Sequence, residues 1–442
     1  MNKYKESDIA IIGAGYVGLC TGVVLNELGY PVTFIDVNEE RVNILKKGVS
    51  PVYEPGLEEL IKKGVENGTI KITSQYDDIS HISTFIISVN TPIMENYEVN
   101  LEYLISACDS LAKVIKKNST IIVRSTVPPL TIRECIIPIF NSFGFQPDID
   151  LIFASVPERL AEGHALRDMK ENPIIIGSNS KTAFEKVKRI WADLNLEFLH
   201  VSWEEAELTK LADNLWIDLN IALANELALI SEKIYADARK VINAANTLKK
   251  GNGFVNILTP GAGVGGSCLP KDPHILDAFA KKHGVTLKIP KISRSINDSM
   301  PSHMFDIIMQ KQRSSKDKKT LLLGLSFNSN SGDMRYSPSI ELNKKLRIEG
   351  FTVYGYDPLV NNEDLKPLID LNIIKTKEEF IDILKHVDTI AVLAAHDIFR
   401  NMIKDILQNL NKKTIVDGRY LFIREEVIKA GGDYFAIGVG YK

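Results

Sequence analysis

The sequence predicts an α/β fold with a doubly wound domain at each end, joined by a long central helix and a helical middle. Three observations carry that reading. Over about the first 200 residues, short apolar runs alternate with segments of helical length and period. No Pro or Gly interrupts the stretch from Trp203 to Tyr235. Strand-like apolar runs then return beyond residue 320.

Taken in order, DIAII (8–12) and VTFID (32–36) read as buried parallel strands flanking a helix. Further strands are expected at 84–89, 120–125, 151–155, 173–177 and 196–201, with a helix over 100–116. In the long helix, Leu and Ile recur at 208, 211, 215, 219, 223, 227 and 230. Steps of three and four place them on one face, over about 45 Å at 1.5 Å per residue. Helix continues to about 313, broken at 249–271 by a glycine-rich stretch. QRSSKDKK (312–319) is polar and reads as a linker. Strands are expected again in 320–327, 352–358, 389–396 and 414–419, with a helix after Ser337-Pro338. The expected domains are 1–200, 201–313 and 314–442. No sequence repeat relates the two ends.

Net charge is −3 and no long basic run occurs, which argues against nucleic acid or a membrane surface as partner. No apolar run approaches the roughly 18 residues of a membrane span. The polar N-terminus MNKYKESD does not resemble a signal peptide. Cys20, Cys108, Cys135 and Cys268 are scattered, which suits free thiols in the cytoplasm rather than a disulfide framework or a zinc site. The histidines do not pair at ligand spacing, so no metal is expected.

Gly13-Ala14-Gly15-Tyr16-Val17-Gly18 fits G-x-G-x-x-G, follows a strand and opens a helix. The next strand ends in Asp36, 23 residues after Gly13. Together these form a Rossmann-like dinucleotide site. The glycines allow a tight turn against a pyrophosphate at the helix N-terminus. A carboxylate at Asp36 accepts ribose hydroxyls and repels a 2′-phosphate, which favours NAD over NADP. Arg41 is placed near the adenine.

A second site is expected at GAGVGGSCLPKD (261–272). Asp272-Pro273 reads as a helix start, with Asp as N-cap and Pro at the first helical position. Cys268 then lies just before a helix N-terminus and near Lys271, a setting that favours the thiolate. The other three cysteines read as core. Lys210 and Asn214 share a face of the long helix. Glu158 and Thr126 each follow a strand, where α/β domains place ligands. A dinucleotide fold with a reactive Cys points to oxidation past the aldehyde through a thiohemiacetal and a thioester.

The chain resembles the nucleotide-sugar 6-dehydrogenases, the family of UDP-glucose, GDP-mannose and UDP-N-acetylmannosamine dehydrogenases. The resemblance spans GAGYVGL (13–19), IDVNEERV (35–42), YEPGLEEL (53–60), ISVNTP (87–92), STVP (125–128), PERLAEG (157–163), ELTKLADN (207–214), GVGGSCLPKD (263–272), GDMRYSPS (332–339), GYDP (355–358) and DGR (417–419). It implies a four-electron oxidation of a sugar CH₂OH to a carboxylate with two NAD. Cys268 would be the nucleophile, and Lys210 would stabilise alkoxide and oxyanions. Asn214 and Asp272 would assist through hydrogen bonds, and Glu158 would serve thioester hydrolysis beside Thr126. Around NAD it implies Gly13, Gly15, Tyr16, Val17, Gly18, Asp36 and Arg41. The stretches Ser88, Val89, Asn90, Thr91, Pro92 and Ser125, Thr126 join them, with Glu162, Lys271 and Arg335. For the nucleotide sugar it implies Glu158, Arg159, Leu160, Lys210, Asn214, Thr259, Gly261, Gly263, Gly265 and Arg419. The C-terminal Rossmann-like domain would hold UDP. The helical middle would be a dimerisation region, giving a homodimer or higher homo-oligomer with Arg335 reaching a neighbour's site.

Two positions depart from the family pattern. KKGNGFVNI (249–257) has no Arg ahead of the glycine loop, and Asn328 stands where a Lys is common. NILTPGAGVGG (256–266), Pro273 and AAHDIF (394–399) resemble the N-acetylhexosamine branch. SCLPKD and GDMR resemble the UDP-glucose and GDP-mannose branches. UDP-N-acetylmannosamine is the favoured substrate, with UDP-glucose next and GDP-mannose behind. Two other classes stay open: a non-catalytic NAD- or nucleotide-sugar-binding protein, and a two-electron hydroxyacid dehydrogenase needing only Lys210 and Asn214.

Overall fold

The computed structural model describes residues 7–251, 253–311, 318–361, 363–368 and 370–441. Residues 312–317 of the expected linker and 1–6 of the polar N-terminus lie outside the described residues. The chain divides into two compact units, Met1–Asp213 with Ala278–Val285, and Asn214–Asp277 with Thr286–Lys442.

The first unit is built on eight strands: β1 (Ile9–Ile12), β2 (Val32–Ile35), β3 (Ile70–Thr73), β4 (Thr84–Ile87), β5 (Ser119–Val123), β6 (Leu151–Ser155), β7 (Ile174–Gly177) and β8 (Phe198–Val201). Their order is β3-β2-β1-β4-β5-β6-β7-β8. Pairing is parallel except between β6 and β7, which meet antiparallel at Ser155 and Gly177. Alternation along β1 separates two cores. Ile9 and Ile11 pack with Val24, Phe34 and Trp191, while Ala10 and Ile12 pack with Phe85, Phe153 and Trp203. Both faces are covered, so the strand reads as a continuous apolar run.

β3 was not expected from the sequence. Its pattern, buried at both ends with exposed Lys71 between, is too short and too polar to stand out as an apolar run. Glu207 helps to shape an unusual turn. It is buried, and its Oε1 accepts the Ile132 N–H at 2.9 Å, where the π-helical turn Ile132–Ile136 begins.

The long helix spans Trp203–Lys233, as its lack of Pro and Gly predicts. Its start is pinned by the Trp203 indole N–H, which donates to the Phe153 carbonyl at 2.9 Å. The Leu/Ile stripe is only partly covered within the chain: Leu211 is buried, and Leu215, Leu219 and Leu227 are half-buried. Within the chain, the buried positions include the polar Glu207, Lys210, Asn214, Asp218, Asn225 and Ser231 and the small Ala206, Ala222, Ala224 and Ala228. Leu208, Leu223 and Ile230 of the expected stripe are 43%, 44% and 53% exposed, and Trp216 is 50% exposed. Hydrophobic period marks a face to be covered, without saying by what.

The second unit continues that helix, carries the helices Ala238–Ala245 and Ile289–Lys311, and has a small antiparallel hairpin, β9 (Lys249–Lys250) with β10 (Gly253–Phe254). A second sheet follows: β11 (Lys319–Leu323), β12 (Thr352–Tyr356), β13 (Asn372–Ile373), β14 (Thr389–Val392), β15 (Thr414–Asp417) and β16 (Asp433–Ala436). All its pairs are parallel, in the order β13-β12-β11-β14-β15-β16. That order repeats the β3-β2-β1-β4-β5-β6 arrangement of the first sheet, so the two ends share a topology that their sequences do not display. The helix expected after Ser337-Pro338 spans Pro338–Ile348, with the Ser337 hydroxyl accepting from the Ser339 N–H. Among the described residues, no helix is long and apolar enough to cross a membrane.

Candidate active site

In the first sheet, β1 and β4 are neighbours although β2 and β3 intervene in sequence. Such a switch point opens a crevice at the carboxyl ends of the strands. Gly13 has φ 98°, and a Cβ there would stand 2.6 Å from the Ser88 carbonyl oxygen. A Cβ on Gly18 would stand 2.0 Å from the Gly13 carbonyl oxygen. Both positions therefore exclude any side chain. A Cβ on Gly15 meets nothing within 4 Å. Gly15 lines instead a cavity of about 330 Å³, together with Asp36, Arg41, Ser88, Val89 and Asn90.

The cavity fits a dinucleotide. Gly15 precedes the helix Tyr16–Glu27 and offers no side-chain cap, so no side chain at the cap position takes up a first-turn N–H group. Ser88 Oγ is buried without a hydrogen-bond partner among the described residues. Asp36 is held ready, accepting from Ala14 N–H, Asn38 N–H and Arg41 Nη1, each at 2.9 Å. Arg41 is thus an ion-pair partner of Asp36 as well as a wall of the cavity. The loops after β4 and β5 are tied together. Ser125 Oγ donates to the Val89 carbonyl and Thr91 Oγ1 to the Thr126 carbonyl, both at 2.7 Å. Thr91 is buried and Pro92 exposed at the end of this loop.

Next to β6, Glu158 is buried, and its Oε2 lies 3.3 Å from Lys210 Nζ. Its Oε1 accepts the N–H of Leu160, two residues on. Arg159 turns to Asp213 at 2.7 Å. Glu162 lies partly buried in the same loop. Arg124, at the end of β5, is buried, and burial lowers its pKa to about 10 against the pull of Glu158.

The second unit holds the thiol. Cys268 is partly buried, with Sγ 3.4 Å from Ser267 Oγ, and its carbonyl accepts the N–H groups of Lys271 and Asp272. The following helix spans Asp272–Lys282. The Lys271 carbonyl accepts the Ile275 N–H at 3.1 Å. Asp272 is therefore the first helical residue and Pro273 the second, one position later in the helix than the capping pattern predicts. Asp272 is fully buried, and its Oδ2 accepts from Asn214 Nδ2 at 2.5 Å. Lys271 Nζ lies 3.7 Å from the other carboxylate oxygen.

The glycine loop is packed rather than slack. A Cβ on Gly261 would meet Arg419 Nη1 at 2.4 Å, and one on Gly265 would meet Phe327 Cβ and the Tyr336 carbonyl oxygen at 2.6 Å. Gly263 has φ 131° and lies against Pro301 and Pro338. The Gly266 N–H donates to the Arg335 carbonyl at 2.8 Å. Thr259, just ahead, is exposed. Arg419 is clamped by the carbonyls of Leu393 and Gly263, at 2.8 and 3.0 Å. Burial lowers its pKa to about 10. The Arg335 guanidinium folds onto Asp333 of its own loop, at 2.6 Å.

Some of this was hidden from motif reading. Tyr76, Tyr103, Ser106 and Ser110 also line the dinucleotide cavity. Tyr103, Ser106, Ala107 and Ser110 fall on one face of the helix Glu102–Ala112, and the small residues at 106, 107 and 110 at helical spacing are the available signal. Glu54, Glu207, Asp357 and His396 fall within quoted motif stretches, but their side chains are buried against distant partners that no local spacing identifies. Among the described residues, no three His, Cys, Asp or Glu side chains could together hold a metal ion.

A doubly wound sheet with this glycine turn and Asp36 defines an NAD-dependent dehydrogenase. Residues 7–195 match the NAD binding domain of the UDP-glucose/GDP-mannose dehydrogenase family, 204–299 its central domain and 321–424 its UDP binding domain. The chain belongs to that family. It is 32% identical over 443 residues to a UDP-glucose 6-dehydrogenase of Rickettsia felis, covering 98% of this chain and 96% of the relative. It is 31% identical over 449 residues to a UDP-N-acetyl-D-mannosamine dehydrogenase of Methanococcus maripaludis, covering 99% and 98%. A UDP-glucose dehydrogenase structure from Pyrobaculum islandicum superposes with TM-score 0.88 at 25% identity, covering 100% of this chain and 99% of that one.

Proposed function

We propose that the protein oxidises the C6 alcohol of a UDP-hexose to the uronic acid, with Cys268 as nucleophile. The observation that carries this reading is the 2.5 Å hydrogen bond from Asn214 to Asp272. Within the second unit it holds Asn214 of the long helix to the turn that bears Cys268, four residues before Asp272.

Bound NAD supplies the hydride acceptor in each of two oxidations. In the first, Lys210 stabilises the alkoxide, and Asp272 draws the hydroxyl proton away through water. Cys268 sulfur then adds to the aldehyde carbon, and the oxyanion takes up a proton to give a thiohemiacetal. Loss of a second hydride and a proton leaves a thioester. Glu158 directs water to the thioester carbon, which releases the acid and returns the thiol. Lys210 also neutralises Glu158 until water arrives.

UDP-N-acetylmannosamine is the favoured sugar and UDP-glucose the second candidate, in keeping with relatives of both names. All four cysteines are free, in keeping with work in the cytoplasm. The exposed Trp216, Leu223 and Ile230, at seven-residue spacing on the long helix, support a homodimer through that face. A panel of UDP- and GDP-sugars tests the reading. The expected result is two NADH per sugar oxidised. One NADH per sugar, or no turnover with any of them, would overturn it.

A further inference from the structure

The YEPGLEEL stretch carries a residue that the chemistry above leaves unused. Glu54 is buried, 5% exposed, and lies outside both the glycine turn and the Glu158 loop. Its carboxylate takes three hydrogen bonds from two separate places. Oε2 accepts from the Tyr16 hydroxyl and from the Gly163 N–H at 2.7 Å. Oε1 accepts from the Ala165 N–H at 2.8 Å. Tyr16 is the residue directly after Gly15, at the first position of the helix whose N-terminus faces the dinucleotide cavity. Gly163 and Ala165 end the loop that begins at Glu158.

The rest of that loop is held in the same manner. Glu158 takes the Leu160 N–H, and Asp168 takes the Ala161 N–H at 2.9 Å. Four backbone N–H groups between 160 and 165 therefore end on carboxylates. Only the Glu54 carboxylate also reaches the cofactor turn among these bonds. A buried carboxylate is acceptor-only, so three donors suit it and an amide in its place cannot satisfy them.

We propose that Glu54 is a positioning residue that couples occupancy of the NAD site to the order of the 158–165 loop. This rests on the role given to Glu158 above. In a reaction that uses two NAD in succession, the loop that admits water is then tightest while the cofactor turn is engaged. Displacing the cofactor loosens Tyr16, and Tyr16 loosens Glu54. The hydrolysis loop and the cofactor turn behave as one body.

The test is hydrogen–deuterium exchange of the full-length protein, with and without saturating NAD. It compares wild type, Glu54→Gln and Tyr16→Phe. The expected result is that NAD slows exchange of amides 160–165 by about tenfold in wild type. In Tyr16→Phe that slowing falls to under threefold even with the NAD site saturated, as checked by calorimetry. In Glu54→Gln the same amides exchange fast with or without NAD. The tyrosine variant loses only a hydroxyl, so it keeps the test decisive if the glutamine variant folds poorly. Equal NAD protection in wild type and Tyr16→Phe overturns the proposal, as does no protection in wild type. The assay needs no sugar substrate, so absence of turnover would count against the proposed reaction and leave this coupling separately measured.

Discussion

The Lys210 ammonium lies 3.3 Å from the Glu158 carboxylate, and both side chains are more than nine-tenths buried. Taking two charges out of water is costly, and removing one leaves the other uncompensated. Lys210→Ala is therefore expected to destabilise the fold by about 3–5 kcal/mol. It should also slow turnover on the order of 10²–10³-fold, as for loss of an oxyanion donor. Glu158→Gln should spare both hydride transfers and stall hydrolysis of the thioester. Single-turnover kinetics checks this: fast formation of two NADH per sugar with slow acid release is expected, and equal slowing of NADH formation and acid release would refute the division of roles.

Cys268 gives the sharpest covalent test. Cys268→Ala should abolish acid formation while leaving NAD affinity within about twofold, measured by calorimetry. Mass spectrometry of acid-quenched Glu158→Gln should find the sugar acyl group on the peptide containing Cys268. Acid formation by Cys268→Ala would rule out a thioester.

Glu207 predicts a slope in stability against pH. Burial raises its pKa to about 8 from an ordinary 4.5, although N–H groups of residues 130–132 partly oppose this. The folded state then holds a proton that the unfolded chain releases, so this contribution is full below about 4.5 and is lost as pH rises to about 8. The slope is about 1.4 kcal/mol per pH unit at most. Glu207→Gln keeps the oxygen that accepts from Ile132 and places an amide where Oε2 has no partner. Urea titrations between pH 5 and 8 should show the slope gone. An unchanged slope would assign it elsewhere.

The His396–Asp357 pair should govern nucleotide-sugar affinity. His396 Nε2 lies 3.0 Å from Asp357, while its Nδ1 accepts the Asn330 N–H at 2.8 Å. Asp357 also takes the N–H groups of Leu325 and Ser326. Burial would raise its pKa, but the bond from His396 and the backbone N–H groups hold it below the ordinary value. Stability from Asp357 is thus present above the ordinary carboxylate range and fades as pH falls through its depressed value. His396→Gln keeps a donor and His396→Asn an acceptor, so neither restores both bonds. Each is expected to raise KM for the nucleotide sugar about tenfold with KM for NAD unchanged. Equal rises in both constants would make the pair merely structural.

The proposed homodimer is expected to break at the long helix. Trp216→Asp with Leu223→Asp places charges on its exposed apolar face and should give a monomer by light scattering. A dimer that survives both changes would move the interface elsewhere.

Motif-scale features were legible because their causes are local. The Gly13 turn, Asp36 at the end of β2 and the Cys268 turn each sit in a short residue pattern, even where the contact that requires them, such as Ser88 against Gly13, is distant. Glu54 is different: its partners are 38, 109 and 111 residues away in sequence. Only folding brings such donors together. The glycines at 261 and 265 also carried a mixed signal. Sequence pattern points to close ligand approach, while the packing shows Arg419, Phe327 and Tyr336 already filling the space. Asp272 shows the usual one-residue uncertainty of a helix start. On the long helix, periodic Leu and Ile drew attention to a face that this chain leaves largely open, while the covered face mixes polar and small residues and so stands out little in a hydrophobic count.

One helix thus carries the Lys210–Asn214 spacing on one side and an apolar seam on the other, over 31 residues. Its length works as a ruler. Deleting a single residue within it would turn everything downstream by about 100° and shift it about 1.5 Å. Chemistry and assembly would lose register together. Point changes can drift freely on its solvent-facing positions, but insertions and deletions between Trp203 and Lys233 should be close to forbidden.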